Sequence, residues 1–277
     1  LMNRKIVSIY SIIHFIVDLS CAVLVSNLIT QKMGTGTNFF IAILIYNFFA
    51  FAMQLPIGIL ADKINMNAIC SAIGCILVAI AFWFANYGII SCLIAGIGNA
   101  MFHVGGGIDV LNISNKKATL SGIFVSTGAM GIFLGGKSAS IGFNKYYIVI
   151  LILLISAISL LWLYKQIKDS INNSKIKAIK LTKNEWIAIV CIFITVCIRG
   201  YVGMILAFTW KSTFIFALLS IFGVVLGKML GGIIGDKIGF DKISISLLIS
   251  AICFIFSFTN PIIGILAILL FNMTMPI

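Results

Sequence analysis

Apolar stretches of roughly twenty residues follow one another along this chain, separated by short polar connections. A helix rises 1.5 Å per residue and needs about 20 residues to cross the hydrocarbon of a bilayer. The expected spans are roughly 6–29, 39–61, 67–84, 88–112, 118–141, 146–164, 186–208, 213–235, 243–258 and 261–277. Only 9% of the residues are charged and the mean hydropathy is +1.19. Soluble domains carry about 25% charge, so the composition points to an all-α integral membrane protein. Transmembrane β-strands would give alternating segments of about 10 residues, and none are evident.

The formal charge of +12 is a matter of orientation, with no nucleic-acid partner implied. With the N-terminus in the cytoplasm, thirteen of the nineteen basic residues fall in cytoplasmic segments, four outside and two within spans. Basic residues are retained inside during insertion, so the N-terminus is expected in the cytoplasm; the membrane expected is the plasma membrane, with lipid as an obligatory partner. The abundance of Ile and Lys with only two Arg points to a bacterial source. Residues 165–185 hold six lysines and divide the chain into a bundle over 1–164, a basic linker, and a second bundle over 186–277. Asp18 and the length of the first apolar stretch argue against a cleaved signal peptide. The seven cysteines are odd in number, form no CxxC and lie in apolar stretches, so neither a disulfide frame nor a metal site is expected.

One short motif occurs twice, 174 residues apart: Gly58-Ile-Leu-Ala-Asp62-Lys63-Ile-Asn65 and Gly232-Ile-Ile-Gly-Asp236-Lys237-Ile-Gly239. Each copy closes the second span of its half. Gly58 and Gly232 allow close helix approach, and each aspartate is expected at the start of the next helix, against its positive end. Asn65 and Gly239 are residue types that tolerate a left-handed turn. Six spans with their loops make a repeat of about 170–180 residues, which fits the separation.

The hairpin resembles the loop 2–3 signature of the major facilitator superfamily. Gly58, Leu60, Ala61, Asp62 and Lys63 match it, and Gly232, Asp236, Lys237 and Gly239 match the degenerate copy in loop 8–9. Asn65 replaces the second glycine, and Met66 and Asn67 replace the usual basic residues. The resemblance implies two six-helix bundles, of which about 10 of the 12 spans are present, the second bundle being incomplete. It also implies a cytoplasmic charge latch, with Asp109 as a network partner. Gly98-Asn-Ala-Met-Phe-His103 and the glycine-rich fifth span (Gly128, Gly131, Gly135, Gly136) are similar to the fosmidomycin-resistance-like efflux proteins.

Ionisable residues at the middle of a span cost on the order of 2.5–3.5 kcal/mol each on insertion scales, so they mark a cavity or a partner. Asp18 and Arg199 lie near the middle of spans 1 and 7, which take equivalent places in the two halves. Ser11, His14, Asp18 and Cys21 share a helix face; so do Cys191, Thr195, Arg199 and Gly203, and Gly96, Asn99, His103 and Gly107. Asp18 is expected to carry protons with Arg199 as its modulator or as an anion clamp. His14 and His103 are secondary candidates. Lys228 and its repeat counterpart Gln54 are further cavity candidates, and Gly223, Gly227, Gly231 and Gly235 form a packing ridge.

The function expected is a monomeric secondary transporter moving a small molecule by alternating access, with protons as the coupling ion and efflux as the direction. A ten-span drug/metabolite-type carrier would place its repeats about 140 residues apart, against 174. An enzyme is not expected: no phosphate-binding loop, Gly-x-Ser-x-Gly, paired-aspartate or His-Glu-x-x-His motif occurs. No cofactor and no metal are expected.

Overall fold

A computed structural model describes residues 2–115, 117–171, 182–205 and 208–276. Lys116, Lys175, Lys177 and Lys180, and linker residues 172–181, lie outside this set. The described residues are all-helical, without strands. Helix α1 (Met2–Val23) runs through a π-helical segment, Leu24–Ile29, into α2 (Thr30–Met33). There follow α3 (Thr37–Ala52), α4 (Gln54–Ile64), α5 (Asn67–Trp83), α6 (Gly88–Ile113), α7 (Ala118–Gly136) and α8 (Tyr146–Ile171). Beyond the linker come α9 (Lys183–Ile205), α10 (Phe214–Ile238), α11 (Phe240–Phe256) and α12 (Pro261–Asn272).

Among the described residues, six continuous helical rods are long and apolar enough to cross a membrane, namely Arg4–Met33, Thr37–Ile64, Gly88–Ile113, Ala118–Gly136, Tyr146–Lys165 and Phe214–Ile238. Two shorter apolar helices, Asn67–Trp83 and Pro261–Asn272, accompany them. The chain is thus an α-helical membrane protein, with six of the expected ten spans meeting both length and hydropathy.

Rod Arg4–Met33 is central and mostly buried, whereas Thr37–Ile64 is peripheral. The latter turns Phe40, Phe48, Phe51 and Leu55 outward, as a lipid-facing helix does. The core forms where Tyr10, Val17, Leu24 and Ile29 meet Val78, Phe102, Val110, Leu153 and Leu160. Helix α1 packs on α7, α5 on α6 and α8, and α3 on α6. Across from these, α10 packs on α12, and α11 on α12. The two groups join where α10 runs along α7.

Close approach explains several glycines. A methyl group on Gly131 would strike the backbone of Phe15 and Leu19, so α1 and α7 touch backbone to backbone there. Gly122 and Gly232 do the same for α7 and α10: their added methyls would meet the Lys228 and Ala118 carbonyls. By contrast, Gly107 faces open space.

The packing predicts opposite outcomes for one substitution at two sites. Gly131→Ala should destabilise the full chain by about 1–3 kcal/mol, the usual range for overpacking. Gly107→Ala should leave stability unchanged or raise it by up to about 1 kcal/mol, because alanine is the better helix former and its methyl meets open space. Thermal unfolding in detergent measures both, and equal melting temperatures for the two variants would contradict the close α1–α7 contact.

Candidate functional site

Two helices each contribute a polar pair with a four-residue spacing, and the pairs face one another. His14 and Asp18 lie one turn apart on α1; Asn99 and His103 lie one turn apart on α6. His14 Nε2 is 3.2 Å from Asp18 Oδ2 and 2.8 Å from His103 Nε2. His103 Nε2 is 3.6 Å from Asp18 Oδ1. The Asn99 amide donates to Asp18 Oδ1 at 3.2 Å and lies 3.6 Å from Cys21 Sγ. His14, Asp18 and Asn99 are buried, and only the His103 side chain retains 22% exposure.

The hydrogen bonds fix the tautomers. His14 Nδ1 lies 2.7 Å from the Phe124 carbonyl oxygen, and His103 Nδ1 lies 2.9 Å from that of Asn99. A carbonyl only accepts, so both Nδ1 atoms carry the hydrogen. In neutral rings both Nε2 atoms are therefore bare lone pairs. They meet each other and a carboxylate, and these donor atoms all lie within 4.8 Å of one another. Such a set of acceptors repels itself unless a positive species sits among them. Phe102 and Phe124 wall the His14 ring, with centroids 5.9 and 4.5 Å away, and keep the surroundings apolar. The third wall is Gly128 of α7, where an added methyl would collide with Asp18 Oδ2 and His14 Nε2.

The other expected site residues fall elsewhere. Arg199 does not meet Asp18: it donates to Thr274 Oγ1 and, at 2.6 Å, to the Phe271 carbonyl. Its guanidinium also lies 4.3 Å from the centre of the Phe271 ring. The physical reason is local, because the end of α12 offers acceptors and an aromatic face within reach of α9. Cys191 and Thr195 on the same α9 face are exposed. Gln54 donates to the Ala50 carbonyl at 2.9 Å, bridging the break between α3 and α4, and takes no part in the cluster. Lys228 of α10 donates to the Val125 carbonyl of α7 at 3.1 Å. It lies within electrostatic reach of Asp18, His103 and Arg199. Lys228 is thus the charged group that the second helix group presents toward the cluster.

The duplicated hairpins behave unequally. Asn65 and Gly239 both adopt positive φ, 53° and 94°. Both aspartates sit in the last turn of their own helix, not at the start of the next one. Asp62, Lys63 and Lys237 are exposed, and Asp62 has no hydrogen bond or ion pair among the described residues. Asp236 instead caps α7. It accepts from Ala118 N at 2.7 Å, Thr119 N at 2.9 Å and Thr119 Oγ1 at 2.5 Å. A carboxylate over exposed N–H groups at a helix start is favourable both as a cap and toward the helix dipole. A methyl group added at Gly58 would meet only Val104, at van der Waals distance, whereas one at Gly232 would collide with the backbone of α7. Asp109 is held by the Tyr10 hydroxyl at 2.5 Å and the Asn67 amide at 2.9 Å, and Asp62 is not among its partners.

The three donors that could hold a metal ion among the described residues are His14, Asp18 and His103. Spacing motifs miss this set because its third member is 85 residues beyond Asp18 on another helix. The four-residue stripes on α1 and α6 were the available signal. A polar network of this kind was also missed at the other end of the bundle. There Asn27, in the π-helical segment, donates to Ser138 Oγ and the Phe143 carbonyl and accepts from Gln31 and Tyr146. No protein-family model matches the chain, and no curated protein matches it.

Loss of the α7 cap should loosen the α7–α10 contact by about 1 kcal/mol. A cysteine placed at buried Ser121, in a background without the native cysteines, reports this. Asp236→Ala should raise its rate of modification by N-ethylmaleimide about fivefold. Asp62→Ala should leave that rate unchanged, and equal rates in both variants would remove Asp236 from the role of clasp.

Proposed function

We propose that this chain is a secondary active transporter that moves a small solute across the membrane by alternating access. One observation carries the proposal: His14, Asp18, Asn99 and His103 converge inside apolar helices, on the side from which Lys228 of the other helix group approaches. Burying such a cluster in a purely structural helix would cost several kcal/mol with no gain that apolar packing could not supply. In a transporter the same cluster is a binding centre midway between the two membrane faces.

The two helix groups provide the moving parts. They are joined along α7 and α10, with glycines 122 and 232 at the crossing and Asp236 clasping the start of α7. Sealing and releasing that end while the cluster stays in place is what alternating access requires. The duplicated hairpin and its likeness to the major facilitator signature support the same reading, with six-helix halves as the frame. On the likeness to the fosmidomycin-resistance-like efflux proteins we assign the direction as efflux, and on the buried Asp18 carboxylate the proton gradient as the driving force. On the distribution of basic residues we assign the N-terminus to the inside, and on the abundance of Ile and Lys with only two Arg we assign a bacterial plasma membrane.

Proteoliposomes containing the full chain, with an imposed pH gradient, provide the test. The panel comprises organic anions, organic cations and inorganic cations. The expected outcome is gradient-driven flux of at least one class, reduced at least about a hundredfold by Asp18→Asn, while Asp62→Asn retains flux within about threefold. Undiminished flux in the Asp18 variant, or no flux of any class, would contradict the proposal.

A further inference from the structure

We propose that His14, Asp18 and His103 form a binding site for one divalent transition-metal ion, of the kind that takes two imidazoles and a carboxylate. On the transporter reading above, on which this further step rests, such an ion is the cargo.

The donor geometry is the first ground. The ligand atoms are separated by 2.8, 3.2 and 3.6 Å. Metal–ligand bonds of about 2.1 Å place neighbouring donors about 3.0 to 3.4 Å apart, so a single ion reaches all three with small shifts. The second ground is orientation. A metal-bound histidine almost always donates its other ring N–H to a carbonyl or carboxylate. Both rings here do so, to Phe124 and to Asn99, which turns both Nε2 lone pairs inward. The Asn99 amide holds the carboxylate in the same way. The third ground is the apolar wall of Phe102 and Phe124 around the His14 ring, which offers the lone pairs no hydrogen-bond donor, so that a bound cation or a shared proton must satisfy them.

The donor set also selects the class of ion. Two nitrogens and one oxygen suit Zn²⁺, Co²⁺, Ni²⁺, Fe²⁺ or Mn²⁺. Magnesium and calcium prefer all-oxygen shells, and copper(I) prefers sulfur. Three protein ligands leave a position open, as sites with exchanging ligands do. His103, the member that retains some exposure, gives a route in.

Charge sets the affinity. Two neutral imidazoles and one carboxylate leave a bound divalent ion with one unit of positive charge. Lys228 adds a like charge nearby, held off the cluster by its hydrogen bond to Val125. That repulsion weakens binding and favours release. Removing it should tighten the site, which a merely structural cluster would not show.

The experiment titrates Co²⁺ into the purified full chain in detergent and follows visible absorption, with Zn²⁺ added to displace it. The expected result is one Co²⁺ per chain, displaced by Zn²⁺ and unaffected by Mg²⁺. His103→Gln and Asp18→Asn should abolish the signal while retaining a cooperative thermal transition. Lys228→Met should lower the apparent Kd about fivefold or more. Because Lys228→Met keeps all three ligands, it tests the site even if a ligand variant fails to fold. Absence of Co²⁺ binding in both the natural chain and Lys228→Met overturns the site. A shared proton then satisfies the lone pairs, and the transporter reading is untouched. Binding without Zn²⁺ flux in proteoliposomes upholds the site and overturns the ion as cargo.

Discussion

Two imidazole nitrogens and a carboxylate, all lone pairs, meet inside a bundle of apolar helices. In water such groups would part and hydrate. Here α1 and α6 hold them together, and the carbonyls of Phe124 and Asn99 forbid either ring from turning its N–H toward the others. A positive species at that centre, a shared proton or a bound ion, would therefore add to the packing of α1 on α6. The rest of the architecture is arranged around that requirement. Helix α7 lies close enough to seal the third side only because residue 128 is glycine. The glycines at 131 and 135 keep α7 against α1 over the following turns.

The same economy of space explains how the two helix groups meet. Glycines at 122 and 232 bring α7 and α10 into backbone contact, and Asp236 closes the end of α7 with three short hydrogen bonds. Lys228, two turns up α10 from Asp236, reaches across to Val125. One helix pair thus carries both the clasp at one end and a cationic group within electrostatic reach of the buried cluster. On the proposed transporter reading, a movement of α10 relative to α7 would change the two together.

The sequence made some of this legible and withheld the rest for identifiable reasons. Hydropathy and length mark the helical rods, because hydrocarbon accepts only segments that satisfy their own backbone hydrogen bonds. The four-residue stripes put His14 with Asp18 and Asn99 with His103, since that spacing is a property of one helix. Joining the stripes needed the knowledge that α1 and α6 are neighbours, which no local pattern contains. Arg199 shows the converse error. Its place in the repeat paired it with Asp18, but Thr274 and the Phe271 carbonyl and ring lie nearer and hold it. Asp236 was expected at the start of the following helix and instead caps α7, since its carboxylate reaches across to a helix far away in sequence.

Whether both Nε2 lone pairs face one shared centre can be read by ¹⁵N NMR of the histidine-labelled chain in detergent. Both Nδ1 nitrogens should carry hydrogen, and both Nε2 signals should move together when Zn²⁺ is added. A spectrum with hydrogen on either Nε2 and none on its Nδ1, or with only one ring responding, would contradict it.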